Sequence, residues 1–315
     1  MKPFVLHPLF VIGLLIRLTL IATLAPLAVV DWYGPFLDAS IAHLGMDPWS
    51  TWLIDGGTPA AFPYGYAMWV AFLPLSIAAK LLGLPSILAY ALTLLVFDLL
   101  LLLVLQYLLP NRVRLLLTTY WLSPIVILAS YGLGLNDLIP VLLLTLSIYF
   151  TRSHQLRLAG ALCAAAISAK LSMVVALPFF LVYLYNNRPL RQRLNAFLAG
   201  FITVGCMLFV PFLFSASGIR MLLSNPEMGK IYVLALDLGG QSAVYAVPLV
   251  YLLMLYYAWR VRRLNFELFK GIAGLAFLMI VFMTPASPGW FVWSIPFLVF
   301  YQATSGRMAI TLTAA

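Results

Sequence analysis

Residues 31–57 read DWYGPFLDASIAHLGMDPWSTWLIDGG and carry four aspartates (Asp31, Asp38, Asp47, Asp55), His43 and three tryptophans (Trp32, Trp49, Trp52). They follow the first apolar run directly, and no lysine or arginine occurs between Arg17 and Lys80. In a chain of formal net charge +9, so long a gap in positive charge sets this segment across a membrane from the basic loops, because cations concentrate on the cytoplasmic side. The loop is therefore expected to be external, and it is the first place to look for chemistry.

Composition points the same way. Hydrophobic residues make up 64% of the 315 and charged residues 9%, with a mean hydropathy of +1.05, which excludes an ordinary soluble domain. The apolar runs reach helical length, and none alternates like a membrane barrel strand. The expected fold class is an all-α polytopic membrane protein. Its cations sit in short clusters between apolar runs, a topology signal and not a nucleic-acid surface. Cys163 and Cys206 fall inside apolar runs and read as core packing without a disulfide. The first run is longer than a signal-peptide core, lacks a cleavage site and reads as a retained helix.

Apolar runs lie at 9–30, 63–83, 86–109, 114–130, 138–151, 158–171, 172–187, 195–215, 243–259, 269–284 and 289–304. If all of them cross, Lys2 opposes every large basic cluster. If 63–83 enters and leaves on one side, parity flips. Lys2, Arg112/Arg114, Arg152/Arg157, Arg188/Arg191/Arg193, Arg260/Arg262/Arg263/Lys270 and Arg307 then share the cytoplasmic face, thirteen of eighteen cations. The same choice puts seven of nine acids outside, leaving Asp98 within a helix and Glu267 inside. Phe62-Pro63-Tyr64-Gly65 opens the segment, Pro74 interrupts it, and Gly83 with Pro85 closes it, all helix-breaking features. About ten spanning helices, cytoplasmic termini and a re-entrant or interfacial segment at 63–83 are expected. The substantial outer loops are then 31–85 and 216–242, with no internal repeat and no soluble domain.

Candidate chemistry lies on that outer side. Asp31 ends the first helix, either as a general base tuned by partial burial or as a solvated carboxylate. Asp38 is placed to cap a short helix over 38–44, while Asp47 and Asp55 suit turns. Trp49, Trp52, Tyr64, Tyr66 and Trp69 read as an aromatic surface for a sugar or lipid, or as an interfacial belt. The outer turn Tyr131–Asp137 offers Asn136 or Asp137 as N-cap of the following helix. Lys170, in Ser168-Ala169-Lys170-Leu171, must snorkel, pair or hold an anion at its depth. Lys80, Arg220 and Lys230 are the other outer cations and candidate phosphate ligands. Arg17 and Asp98 are intramembrane ions expected to pair with polar groups in the bundle. The Thr284–Trp290 turn suits the lining of a cavity, together with Trp293.

In order and position these motifs resemble the GT-C superfamily of membrane glycosyltransferases, which use polyprenyl-phosphate sugars as donors. The resemblance rests on Asp31 after the first helix, Pro63-Tyr64 before an apolar segment and a leucine-rich helix with Asp98. Asn136-Asp137 in a small-residue turn and Lys170 ahead of Pro178 complete it. It covers residues 1–190 and implies a shared transmembrane module there with an external catalytic loop at 31–85. Residues 191–315 would add transmembrane helices and the external loop 216–242. The implied activity is inverting hexosyl or pentosyl transfer from a polyprenyl-phosphate donor to a lipid-linked or cell-envelope glycan acceptor. The implied location is the external face of a bacterial inner membrane.

The resemblance implies Asp31 or Asp38 as the catalytic carboxylate. Lys170, Lys80, Arg220 and Lys230 would serve the donor phosphate, and Tyr64, Asn136, Asp137 and Trp290 would line the substrate. Trp32 stands where many members carry a second acid, so the choice between Asp31 and Asp38 stays open. Outer cations can stabilise a singly charged lipid-phosphate leaving group, so no metal and no cofactor are expected. The alternative from another class is a polytopic transporter or lipid-linked glycan flippase, which places acids and broken helices near the bilayer midplane and is built from repeats. An acyltransferase or polysaccharide polymerase is a further rival. An acyltransferase would call for an outer histidine, and His43 is the single one.

Overall fold

The computed structural model describes residues 4–240, 242–262 and 264–305, so the expectations for Lys2, Arg263 and Arg307 lie outside the described residues. Helix dominates, as an apolar chain without alternation requires. Helix α1 (Pro8–Thr23) begins at His7, whose ring accepts a hydrogen bond from the Leu9 amide, with proline at the first helical position. It stops earlier than the apolar run implied, and a π-helical turn over Val29–Tyr33 leads into α2 (Gly34–Ala42). Asp38 therefore lies inside α2 and caps nothing, because Pro35 starts the helix before it. Asp47 does cap α3 (Pro48–Ile54), accepting from the Ser50 amide.

Helix α4 (Tyr66–Leu82) continues through Pro74, against the expected interruption, and ends on the left-handed Gly83. After α5 (Ser86–Leu108) come α6 (Val113–Leu116) and α7 (Pro124–Ile127), each extended by a π-helical turn, to Trp121 and to Gly132. The two halves bend by 46° at the break before Pro124. Helices α8 (Leu138–Arg152) and α9 (Leu156–Ala169) follow, then a 3-10 turn (Leu171–Ala176) continuing into α10 (Leu177–Asn186). Next are α11 (Arg188–Arg191), α12 (Leu194–Leu213) and α13 (Ala216–Leu223). A 3-10 turn (Pro226–Tyr232) leads to a small hairpin of β1 (Ala235–Asp237) and β2 (Ala243–Tyr245), which the all-α expectation did not include. The chain closes with α14 (Ala246–Arg260), α15 (Phe266–Met283) and α16 (Phe291–Thr304).

Hydrogen bonds between segments fix which helix ends meet. At one end, Arg152 donates to the Leu108 carbonyl, Arg193 to His154, and Asn187 to Leu264. The clusters Arg112/Arg114, Arg152/Arg157, Arg188/Arg191/Arg193 and Arg260/Arg262/Lys270 gather there, as the charge pattern predicted, while Arg220 on α13 does not. At the other end, Tyr90 donates to the Gly134 carbonyl, Gly65 to Ser168, and Ser215 to Asp47. Helix α4 both starts and finishes at this second end. Gly65 is tied to the tip of α9, while Ser86, just past α4, lies beside Gly34. Phe72 in the middle of α4 stacks on Tyr90, in the first turns of α5, at 4.5 Å, where an antiparallel hairpin would have carried it much deeper.

Two contacts brace the bundle. Arg17 and Asp98 are both fully buried and pair at 2.7 Å, realising the expectation for these intramembrane ions. Asp98 also accepts from the Tyr120 and Tyr131 hydroxyls, and Arg17 donates to the Trp121 carbonyl and lies 3.6 Å over its ring. The pair thus clamps α1 and α5 onto the broken α6–α7 leg. Elsewhere α9 and α12 touch backbone to backbone: a Cβ on Gly160 would fall 2.0 Å from the Phe197 carbonyl, and one on Gly200 1.9 Å from that of Arg157. Cys163 is buried as expected, whereas Cys206 is exposed on the apolar outer face of α12 with Ile202 and Met207.

Among the described residues α5, α12 and α15 are long and apolar enough to cross a membrane, and the bent α6–α7 pair qualifies as one more if it is a single leg. Several shorter helices are also apolar. These properties mark a membrane protein. Removing one partner of the buried pair leaves a charge without compensation, so Asp98→Ala should lower the unfolding free energy by about 3–5 kcal/mol. Replacing both partners by apolar residues (R17M with D98L) should cost less than the single change. Reaction of buried Cys163 with a thiol dye during heating, in a Cys206→Ser background, measures both.

Candidate functional site

The end of the bundle opposite the arginines holds a cavity of about 710 Å³. Its position follows from three local breaks in helix. Helix α9 ends at Ala169, and Lys170 is extended, which turns its side chain out of the helix line. Asp137 stands at the start of α8, and the Pro288–Trp290 turn precedes α16. Asp137 was expected as an N-cap, but its carboxylate caps nothing. One oxygen instead accepts from Lys170 Nζ at 2.5 Å and from Trp293 Nε1 at 2.5 Å. Both the lysine and the indole are then positioned by one buried anion, as burial of charge demands.

Gly289 makes that closeness possible, since a Cβ there would lie 2.2 Å from the second Asp137 oxygen. Lys170 Nζ sits 5.7 Å from the Tyr64 ring centre and 5.4 Å from that of Trp293, so aromatic faces enclose its charge. Trp293 stacks on Trp290 at 4.9 Å. The Tyr33 and Tyr64 hydroxyls meet at 3.3 Å. Burial pushes both well above the ordinary tyrosine value of 10.0; the neighbouring hydroxyl adds to the rise at Tyr33, and the charge of Asp137 at Tyr64. Both therefore remain protonated donors and do not act as bases.

One wall is apolar. Leu171, Val174, Val175 and Pro178 face Val247, Pro248 and Tyr251 of α14, and Tyr251 donates to the Val175 carbonyl. The loop Asn225–Tyr232 closes over another side with Glu227, Met228 and Ile231. A mostly greasy chamber with one charged corner suits a ligand that is part apolar and part anionic or hydroxylated.

The structure brings together Tyr64, Asp137, Lys170 and Trp290 of the sequence candidates. Asn136 is buried beneath them near the Tyr64 and Tyr90 hydroxyls, outside normal hydrogen-bond geometry, and does not face the cavity. Asp31 is exposed and does not itself line the cavity, although the next two residues, Trp32 and Tyr33, do. Asp38 is exposed on α2, and neither of its chain neighbours lines the cavity. Lys80 is exposed in the last turn of α4, about 21 Å along the helix from Tyr66 at 1.5 Å per residue. Arg220 is exposed on α13 and does not line the cavity.

Lys230 pairs with Glu227 at 2.7 Å and lies 5.6 Å from the Trp290 ring. The aromatic surface foreseen from Trp49 to Trp69 is mostly core, since Trp49 is fully buried against Tyr66 and Phe212 and only Tyr64 reaches the cavity. Sequence reasoning counted Glu227 only as an outside acid and gave Tyr33 and Tyr251 no role. No local signal shows which outer loop folds over the chamber. No protein-family model matches the chain, and no curated protein matches it in sequence.

Two outcomes follow from this geometry. Gly289→Ala should drive the Asp137 carboxylate off Lys170 and Trp293 and cost about 1–3 kcal/mol of stability, read by the same thiol assay. The tyrosine shifts carry a sign. A raised folded value means the unfolded chain gives up its protons first, so this stability is present below pH 10.0 and declines as pH rises beyond it. Tyr33→Phe should shrink that alkaline decline in a pH series of melting temperatures.

Proposed function

We propose that the chain is a GT-C-like membrane glycosyltransferase that moves a sugar, with inversion, from a polyprenyl-phosphate donor to a glycan or glycolipid acceptor on the external face of the membrane. The observation that carries this reading is the Lys170–Asp137 corner inside a mostly apolar chamber, at the bundle end remote from the arginine clusters. Such a chamber suits an isoprenoid phosphate: chain against the α10–α14 wall, phosphate at Lys170. In this reading the ten legs α1, α5, α6–α7, α8, α9, α10, α12, α14, α15 and α16 are membrane spans. Helix α4 is the re-entrant piece, and the basic end is cytoplasmic.

The chemistry is a single displacement. The acceptor hydroxyl oxygen attacks the anomeric carbon, the bond from that carbon to the phosphate oxygen breaks on the opposite face, and the acceptor proton passes to a carboxylate. Asp31 is the proposed base, because Trp32 and Tyr33 beside it line the cavity and no residue beside Asp38 does. Lys170 stabilises the charge that develops on the departing phosphate, and Asp137 holds that ammonium in place. Of the four outer cations first considered, Lys170 lines the chamber and Lys230 lies beside it, while Lys80 and Arg220 are not in its lining. A flippase is disfavoured because the mid-bundle ions Arg17 and Asp98 are buried, paired with each other and outside the chamber.

Purified protein offered a panel of polyprenyl-phosphate sugars should transfer one of them. Asp31→Asn and Lys170→Ala should each lose about a hundredfold or more in rate, the scale of removing one transition-state contact. Full activity in both Asp31→Asn and Asp38→Asn removes the base assignment. The orientation has its own check. In a background without Cys163 and Cys206, cysteines at Lys80 and Asp237 should be labelled by an impermeant reagent from the same side, and one at Arg191 from the other. Labelling of position 80 together with position 191 sinks the re-entrant reading.

A further inference from the structure

We propose that Glu227 and Trp32 form a subsite for the hydroxyl-bearing ring of the transferred sugar; the inference deepens the transferase reading and rests on it for the class of ligand. Both residues line the chamber. One Glu227 oxygen is held by Lys230 at 2.7 Å on a side chain that is 33% exposed, while the other is packed away from solvent. A carboxylate oxygen that accepts from one ammonium keeps a further lone pair for a second donor. An isoprenoid phosphate cannot supply that donor. A sugar hydroxyl can.

The loop that carries Glu227 is braced to keep that oxygen in place. Asn225 accepts from the Glu227 amide, fixing the start of the 3-10 turn, and Lys230 lies 5.6 Å from the Trp290 ring. Trp290 in turn stacks on Trp293, which donates to Asp137, so the loop is joined to the charged corner through these two rings. Trp32 is 41% exposed and has no ring partner among the described residues, leaving an indole face open to the cavity. The electron-rich face of an aromatic ring accepts the polarised C–H edge of a pyranose, and a carboxylate accepts its hydroxyls. Lys170 would hold the phosphate, and these two groups the ring beyond it.

Titration calorimetry of the full-length protein in detergent with citronellyl-phosphate hexoses and their monodeoxy analogues tests this without requiring turnover. Wild type should bind one hexose and lose about tenfold to a hundredfold in affinity for at least one deoxy analogue, the range for a hydrogen bond to a charged group. Glu227→Gln should weaken the parent hexose by a similar factor and bind parent and analogue equally. Trp32→Ala should weaken all of them alike, with partial recovery in Trp32→Phe. A merely structural Glu227 would weaken every ligand yet keep the deoxy discrimination, and that result overturns the proposal. So does wild-type affinity in Glu227→Gln. Transfer by wild type with unchanged discrimination in Glu227→Gln removes the subsite alone, whereas selective hexose binding with no transfer to any acceptor removes the transferase reading alone.

Discussion

Burial of charge in an apolar bundle is the constraint on which the rest of this molecule depends. Asp137 is 2% exposed, and a carboxylate at that depth persists only if cations and N–H donors reach it. The donors come from far apart in the chain: Lys170 from the tip of α9 and Trp293 from α16. Satisfying one anion therefore brings two distant helix ends to the start of α8, and the space left between them and α14 is the cavity. Gly289 lets the last loop approach because it has no Cβ to strike the carboxylate.

The same rule operates at mid-depth with a different result. Arg17 and Asp98 pair with one another, two tyrosine hydroxyls donate to the carboxylate, and the guanidinium donates to the Trp121 and Gly13 carbonyls, with one of its nitrogens left unbonded. That network holds the broken α6–α7 leg against α1 and α5. There the charge is a brace between helices. Where one side is left to a chamber, as at Lys170, the charge is available to a ligand. This contrast supports the proposed transfer chemistry at the cavity end and leaves the bundle interior a structural role.

Helix α4 shows why the architecture reads as it does. Its composition matches any membrane helix, yet its start is tied to Ser168 and its end returns to the level of Gly34. Parity of the charge clusters already required one apolar run that does not change sides, and the Pro63-Tyr64-Gly65 opening with Gly83 and Pro85 at the close pointed to this one. Pro74 was a poor guide, because a helix that has room on its open side can carry a proline with a modest bend. The loop α2–α3 packs over α4 through Trp69 and Ser40, and its aromatic residues are largely consumed in that packing.

Sequence alone determined the class of molecule, the end at which the cations collect and the need of the intramembrane ions for polar partners, and it singled out Asp137, Lys170, Tyr64 and Trp290, which meet at one cavity. These are legible because hydropathy, charge asymmetry and the cost of a lone buried ion act on each residue in its own segment. Tertiary structure alone decided that Asp137 holds Lys170 instead of capping α8, that Lys80 and Arg220 stand apart from the chamber, and that Glu227 and Trp32 face into it. Those facts depend on which loops fold over which helix ends, and a loop of given polarity carries the same local signal wherever it lands. The acidic stretch after α1 illustrates both sides: its placement away from the basic end came from counting charges, while the division of its residues between surface, cap and core came from packing.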